Sequence, residues 1–228
     1  MELHEKLTAL EADLNKLGRV AVAFSAGVDS SFLLKVSHDV LGDDVIALTA
    51  YSAFFPHREQ DEAVSFCARE GIRHLTVSMD VLSVEGIVHN PADRCYLCKK
   101  AIFTRFREEA AKLGFPLVAE GSNLDDAGDY RPGLKAIHEL GILSPLRDAG
   151  LTKADIRVLS REAGLPTWDK PSYACLATRL VYGEEITEEK LRRIESAEEK
   201  LMALGFKQMR VRSHGELARI EVPQEDLP

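Results

Sequence analysis

Short apolar runs alternate with amphipathic helical stretches through residues 1–165, and this alternation constrains the fold more than any other feature of the chain. Arg19–Phe24 (RVAVAF) and Asp44–Tyr51 (DVIALTAY) are rich in β-formers, as expected of strands covered on both faces. Arg73–Met79 and Phe115–Gly121 repeat the theme. Between them, SSFLLKVSHDVLG sets Phe32, Leu33, Val36 and Val40 on one helix face, with Gly42 as its stop. GLTKADIRVLSREAGLP opens on Thr152 as N-cap and closes at Gly164–Pro166. Strands alternating with helices predict an α/β fold with a doubly wound parallel sheet.

The pattern changes after Pro166. Residues 166–186 show no clear period and carry Pro171, Trp168 and Cys175, so they read as a linker with a function. A strong amphipathic helix follows in TEEKLRRIESAEEKLMALG, with Leu191, Ile194, Leu201 and Leu204 on one stripe. Its Glu-rich run, Glu184 to Glu199, reads as an exposed face. FKQMRVRSHG and ELARIEV then look like a strand pair, so 187–228 is expected to be a small α+β appendage.

The 228 residues carry a net charge of −8, which disfavours non-specific binding to nucleic acid. No window approaches the roughly 18 apolar residues of a membrane span. The acidic, helix-patterned N-terminus is neither a secretory signal nor a transit peptide, so a cytoplasmic location is expected. Four cysteines are too few for a disulfide scaffold and point to metal binding or catalysis where they are not simply buried.

The first strand runs into Ser25-Ala26-Gly27-Val28-Asp29-Ser30 and a helix starts there. Small residues allow close backbone approach to a ligand, and a helix N-terminus offers free N–H groups to an anion. From spacing alone, a turn capped by Asp29 or Ser30 accounts for the segment equally well. The segment resembles the S-G-G-x-D-S loop of the PP-loop ATP pyrophosphatases, with Ala26 in place of the first glycine. That resemblance implies that the loop grips the pyrophosphate of ATP and that Asp29 helps to hold Mg2+.

The resemblance extends to Ala119–Ala136, Leu143–Leu180 and Met209–Glu221, and it is closest to the LarE family, the pyridinium bisthiocarboxylate mononucleotide synthases of nickel-pincer cofactor assembly. PSYACLATR (Pro171–Arg179) is its most specific segment. The family implies that a pyridinium dicarboxylate mononucleotide is activated as an acyl-adenylate and then attacked by sulfur. Cys175 matches the family's sulfur-donor cysteine, and Lys170 and Arg179 are expected to favour its thiolate. Taken on its own, Cys175 reads first as a buried small apolar residue; flanking Lys170, Pro171 and Arg179 point instead to an electropositive, partly exposed setting.

Cys95 and Cys98 form a C-x-x-C upstream. In some members of the family such a pair joins the later cysteine to hold a [4Fe–4S] cluster, which leaves one iron without a protein ligand. By resemblance Cys95, Cys98 and Cys175 are therefore the candidate cluster ligands. A redox pair at a helix start and a zinc site completed by Cys67 or His89 are the other readings. Cys67, three residues after Val64 on the apolar side of a predicted helix, reads as core.

Other candidates follow from position. Gly121, Asn123 and Asp126 lie after the fourth strand, where a parallel sheet lines its ligand crevice, and are expected to border nucleotide or Mg2+. An Asn/Asp-rich turn is the plainer reading. Tyr51 and Ser52 sit where related enzymes hold adenine. Arg131 and Arg147 lie near predicted strand ends. Arg210 and Arg212 alternate on one strand, and with Arg179 they are expected to bind a substrate phosphate.

The family resemblance further implies a ring-like homo-oligomer, a downstream nickel-insertion protein, and a C-terminal sheet left incomplete at VPQEDLP. A tRNA thiolase would require a basic stripe, an amidotransferase-type synthetase would not require Cys175, and a nucleotide-sensing module would not retain Asp29 with Cys175.

Overall fold

The apolar runs form the expected α/β sheet. The computed structural model describes residues 2–128 and 132–227. Among these, the elements are α1 (Leu3–Leu17), β1 (Val20–Ala23), α2 (Val28–Leu41), β2 (Val45–Tyr51), α3 (His57–Glu70), β3 (His74–Ser78), α4 (Arg94–Lys112) and β4 (Leu117–Ala119). They continue with α5 (Pro132–Glu139), α6 (Pro145–Asp148), α7 (Lys153–Glu162), α8 (Glu188–Ala203), β5 (Arg210–His214) and β6 (Leu217–Glu221). The four-stranded sheet has the order β3-β2-β1-β4. All its pairs are parallel, with Val20 beside both Val45 and Leu117.

Strands β1, β2 and β4 each feed two cores, because successive side chains point to opposite faces. Val20, Val22, Val45 and Ala47 pack with α1, α2 and α7, whereas Ala21, Ile46 and Leu48 pack with Phe103 and Phe106 of α4 and Ile137 of α5. Thr152 caps α7 as expected, accepting from the Asp155 N–H in a capping box.

Residues 166–186 hold one short 3₁₀ turn, Leu176–Arg179, and the segment is anchored on both sides of it. Leu176 donates its N–H to the Phe54 carbonyl at 2.8 Å. A third core joins Leu176, Ala177, Leu180 and Ile186 to Phe54 and Ile87 on one side and to Leu191 and Ile194 of α8 on the other.

Two helix faces differ from the sequence expectation. On α8, Glu195 and Glu198 are buried, while Leu204, just past the helix end, is 76% exposed. Each buried glutamate meets a distant cation or ring nitrogen, Glu195 at His57 and Glu198 at Arg179, as buried carboxylates ordinarily do. On α3, the buried face is Gln60, Ala63, Phe66 and Cys67, and Val64 lies outside it at 49% exposure. Cys67 is a core residue, as expected, and burial pushes its thiol up to about 12.

Candidate active site

A cavity of about 730 Å3 lies at the C-terminal edge of the sheet. Ser25, Gly27, Asp29 and Ser30 form one wall, and Gly121, Asn123 and Asp126 border it from the loop after β4. Parallel sheets place ligands at this edge, where loops from adjacent strands diverge.

The first loop is closed by its own serines. The Ser25 and Ser30 hydroxyls stand 3.1 Å apart, and Ser30 Oγ accepts from the Ser25 N–H at 3.3 Å while donating to the Gly27 carbonyl. Gly27 is the N-cap of α2, so the helix opens into the cavity. Ala26 is buried with φ of +53°, a left-handed conformation that glycine adopts at no steric cost and alanine does not. Val28 begins the helix and is buried away from the cavity wall. Gly121 is required where it stands. A Cβ there would lie 3.0 Å from the Ser30 nitrogen and 3.3 Å from Asp29 Cβ.

Asp29 is held between two donors, Lys153 Nζ at 2.5 Å on one oxygen and Asn123 Nδ2 at 3.4 Å on the other. Asp126 Oδ2 accepts from the Asn123 N–H at 2.9 Å. The structure thus brings the loop, Asn123 and both candidate Mg2+ ligands together. Lys153 escapes sequence reasoning because it lies 124 residues from Asp29. Its one local signal is a cation placed directly after a helix cap.

Tyr51 and Ser52 do not border the cavity. Tyr51 is 41% exposed, and the Ser52 hydroxyl accepts from the Phe54 N–H. The wall there is formed instead by Thr49, Ala50, Phe54 and Phe55. Arg147 pairs with Asp148 at 3.3 Å, and Arg131 lies outside the described residues.

The same cavity is lined by Cys95, Cys98 and Cys175, all free thiols. Cys95 and Cys98 ride the first turns of α4, and Cys175 caps the 3₁₀ turn. Burial, and then the neighbouring charges of Cys175 and Cys95, push the Cys98 thiol up to about 12. Burial likewise raises Cys175, opposed first by the guanidinium of Arg94. Lys170 does not take the thiolate-stabilising role expected of it. Its ammonium binds the Ala26 carbonyl at 2.9 Å and Glu62 at 2.5 Å, fastening the first loop to α3.

Arg179 also has its donors engaged. It is 2% exposed and forks onto Glu198 at 2.8 and 3.2 Å, while Nη1 donates to the Ala174 carbonyl at 2.9 Å. Glu198 accepts in addition from the Val211 N–H. The expected phosphate ligand therefore anchors the Cys175 turn to α8 and β5. Arg212 donates to Glu221 and to the Thr178 carbonyl, whereas the half-buried Arg210 side chain makes no hydrogen bond or ion pair among the described residues. Neither borders the cavity.

A parallel sheet whose first βα turn offers serine hydroxyls and a helix N-terminus to a cavity is the architecture of an anion-binding α/β protein, consistent with the PP-loop type. Comparison with known proteins narrows the class. No family model matches the chain. It is 42% identical over 225 residues to an uncharacterised protein of Synechocystis sp., covering 99% of this chain and 84% of that one. It is 40% identical over 223 residues to the pyridinium-3,5-bisthiocarboxylic acid mononucleotide synthase of Lactiplantibacillus plantarum, covering 97% of this chain and 81% of the synthase. A subunit of the glutamine-hydrolysing GMP synthase of Thermoplasma volcanium is 26% identical over 190 residues, covering 76% of this chain and 60% of its own length. The chain is an enzyme and belongs to the LarE family of pyridinium-3,5-bisthiocarboxylic acid mononucleotide synthases.

Proposed function

We propose that the enzyme is an ATP-dependent sulfur transferase that converts the carboxylates of a pyridinium dicarboxylate mononucleotide into thiocarboxylates for nickel-pincer cofactor synthesis. The observation that carries this reading is one cavity lined both by Ser25, Gly27, Asp29 and Ser30 of the first loop and by Cys95, Cys98 and Cys175.

A carboxylate is a poor electrophile, so activation comes first. Ser25, Ser30 and the α2 N-terminus hold the β- and γ-phosphates of ATP. Asp29 and Asp126 would hold Mg2+, which would offset the charge of the phosphates, and Lys153 moves from Asp29 to a phosphate. A substrate carboxylate oxygen attacks the α-phosphorus and pyrophosphate leaves, which yields the acyl-adenylate. A sulfur anion at the Cys175 end then adds to the acyl carbon, the bond to AMP oxygen breaks, and the thiocarboxylate is formed. Of the two β5 arginines, Arg210 with its uncommitted guanidinium is the better candidate for a substrate phosphate, which would then extend outside the cavity lining.

Two sulfur sources fit the cysteines. Among the described residues no group of three or more His, Cys, Asp or Glu side chains is set to hold a single metal ion. In a [4Fe–4S] cluster each thiolate ligates a different iron, so its ligands stand further apart than around one ion. Three free thiols bordering one cavity suit that donor set. When bound, such a cluster supplies an iron with no protein ligand, able to carry sulfide. Otherwise Cys175 supplies its own sulfur. After Sγ is acylated, loss of the Cα proton breaks the Cβ–Sγ bond, the electron pair leaves with the thiocarboxylate, and dehydroalanine remains.

Exchange of labelled pyrophosphate into ATP tests the activation step. Exchange is expected only in the presence of the pyridinium dicarboxylate mononucleotide and is expected to persist in Cys175→Ala. Exchange independent of that substrate, or absent with it, would overturn the proposal.

A further inference from the structure

Arg94 has no part in the chemistry above, yet it lines the same cavity as the cysteines and approaches Cys95. It opens α4 directly before Cys95 and is 2% exposed. A buried guanidinium is ordinarily matched by a carboxylate, as Arg179 is by Glu198. Among the described residues Arg94 has no such match. Its Nη1 donates to Asn90 Oδ1 and, at 3.1 Å, to the Ala177 carbonyl, and its Nη2 reaches Cys95 Sγ at 4.0 Å. The ring of Tyr182 lies 5.7 Å away. A buried cation surrounded by neutral groups calls for a negative charge in the space it faces.

The same residues bind two segments together. Asn90, fully buried and at φ of +48°, donates Nδ2 to the Val181 carbonyl at 2.7 Å, and its own carbonyl accepts from the Gly183 N–H at 3.0 Å. Arg94 adds the bond to Ala177, two residues after Cys175. Asn90 and Arg94 thereby clasp the turn carrying Cys175 to the helix carrying Cys95 and Cys98. Asparagine tolerates the left-handed region better than other side-chain-bearing residues, and here its amide is fixed by bonds to both segments.

We infer that Arg94 is the positioning residue and buried counter-ion of the three-cysteine site, holding the Cys175 turn against α4 and offsetting the negative charge that three ligating thiolates bring. The inference rests on the cluster reading of the proposed function. In this role Arg94 influences the site through charge and geometry, without touching substrate.

The test compares oxygen-free reconstituted wild type, Arg94→Lys, Arg94→Gln and Asn90→Ala, with iron content and reduction potential as readouts. Wild type is expected to carry about four irons per chain. Nearby charge tunes a cluster's potential, so Arg94→Gln is expected to shift it to more negative values and Arg94→Lys to restore it. Asn90→Ala, with the charge kept and the clasp loosened, is expected to lower iron content by half or more at an unchanged potential. A purely structural Arg94 would change iron content and leave the potential of the loaded fraction unmoved, which would overturn the counter-ion role. If Arg94→Gln loads no iron, Arg94→Lys decides: retention of iron supports the charge role, and an equal loss overturns it. Full iron content in Asn90→Ala would overturn the clasp. Absence of iron from wild type would overturn the cluster reading itself, a failure distinct from that of any variant.

Discussion

Replacing Arg179 with Met separates a structural anchor from a ligand-binding arginine. Arg179 and Glu198 are both buried, with side chains 1% and 5% exposed. Removing the cation leaves the Glu198 carboxylate in the interior with the Val211 N–H as its remaining hydrogen-bond donor. Breaking one side of a buried pair costs about 3–5 kcal/mol. At about 2–4 °C per kcal/mol for a chain of this size, the midpoint should fall by about 10 °C. The double variant Arg179→Met/Glu198→Gln should recover to within about 1–2 kcal/mol of wild type, because the stranded charge is gone and the amide oxygen still accepts from Val211. Thermal and denaturant melts followed by circular dichroism measure all three proteins. A single variant within about 1 kcal/mol of wild type, or a double variant no better than the single, would refute the desolvated-pair argument. Weakened substrate binding at unchanged stability would instead return Arg179 to the phosphate role.

Three further outcomes follow from the site. Gly121→Ala should cost about 1–3 kcal/mol through overpacking against the first turn of α2 and weaken ATP binding by calorimetry, whereas Gly27→Ala, whose nearest contact would be an ordinary 3.5 Å, should fold normally. Lys153→Met should weaken ATP binding about 10- to 100-fold through loss of a charge-assisted bond, and unchanged affinity would remove Lys153 from the phosphate site. Burial holds the Glu59 carboxyl above its ordinary range against the opposing charge of Lys170, so the folded state binds that proton more tightly and stability falls as pH rises from the ordinary carboxyl value toward the raised one. Glu59→Gln should therefore gain on wild type at about pH 7 and lose that advantage at about pH 4; a gap that does not change with pH would contradict the assignment.

The sheet was legible because buried parallel strands need unbroken apolar runs, and Val20–Ala23 and Val45–Tyr51 supply them locally. The loop at Ser25–Ser30 and the cysteines were legible because their chemistry lies in short stretches. What stayed hidden depends on long-range pairing. Glu195 and Glu198 share the buried face of α8 with Leu191 and Ile194, but nothing near them reveals that Glu195 meets His57, 138 residues earlier, or that Glu198 meets Arg179. Arg94 had a local signal in Asn90, four residues before it on the approach to the C-x-x-C helix. Its burial, however, comes from packing against the Cys175 turn, and the sequence places Ala177 of that turn 83 residues away. Val64 illustrates the limit of helical patterning, since Ala63, Phe66 and Cys67 define the same face without it.

The most direct test of the three-cysteine account is to count product per chain. The protein would be reconstituted and turned over without oxygen, with ATP, Mg2+, sulfide and the pyridinium dicarboxylate mononucleotide, while mass spectrometry follows the thiocarboxylate product and the intact chain. The account predicts more than one thiocarboxylate per chain, an unchanged chain mass, and loss of multiple turnover in Cys95→Ala. Product limited to one thiocarboxylate per chain, with each chain lighter by the mass of hydrogen sulfide at Cys175, would contradict it and make Cys175 the sulfur that is consumed.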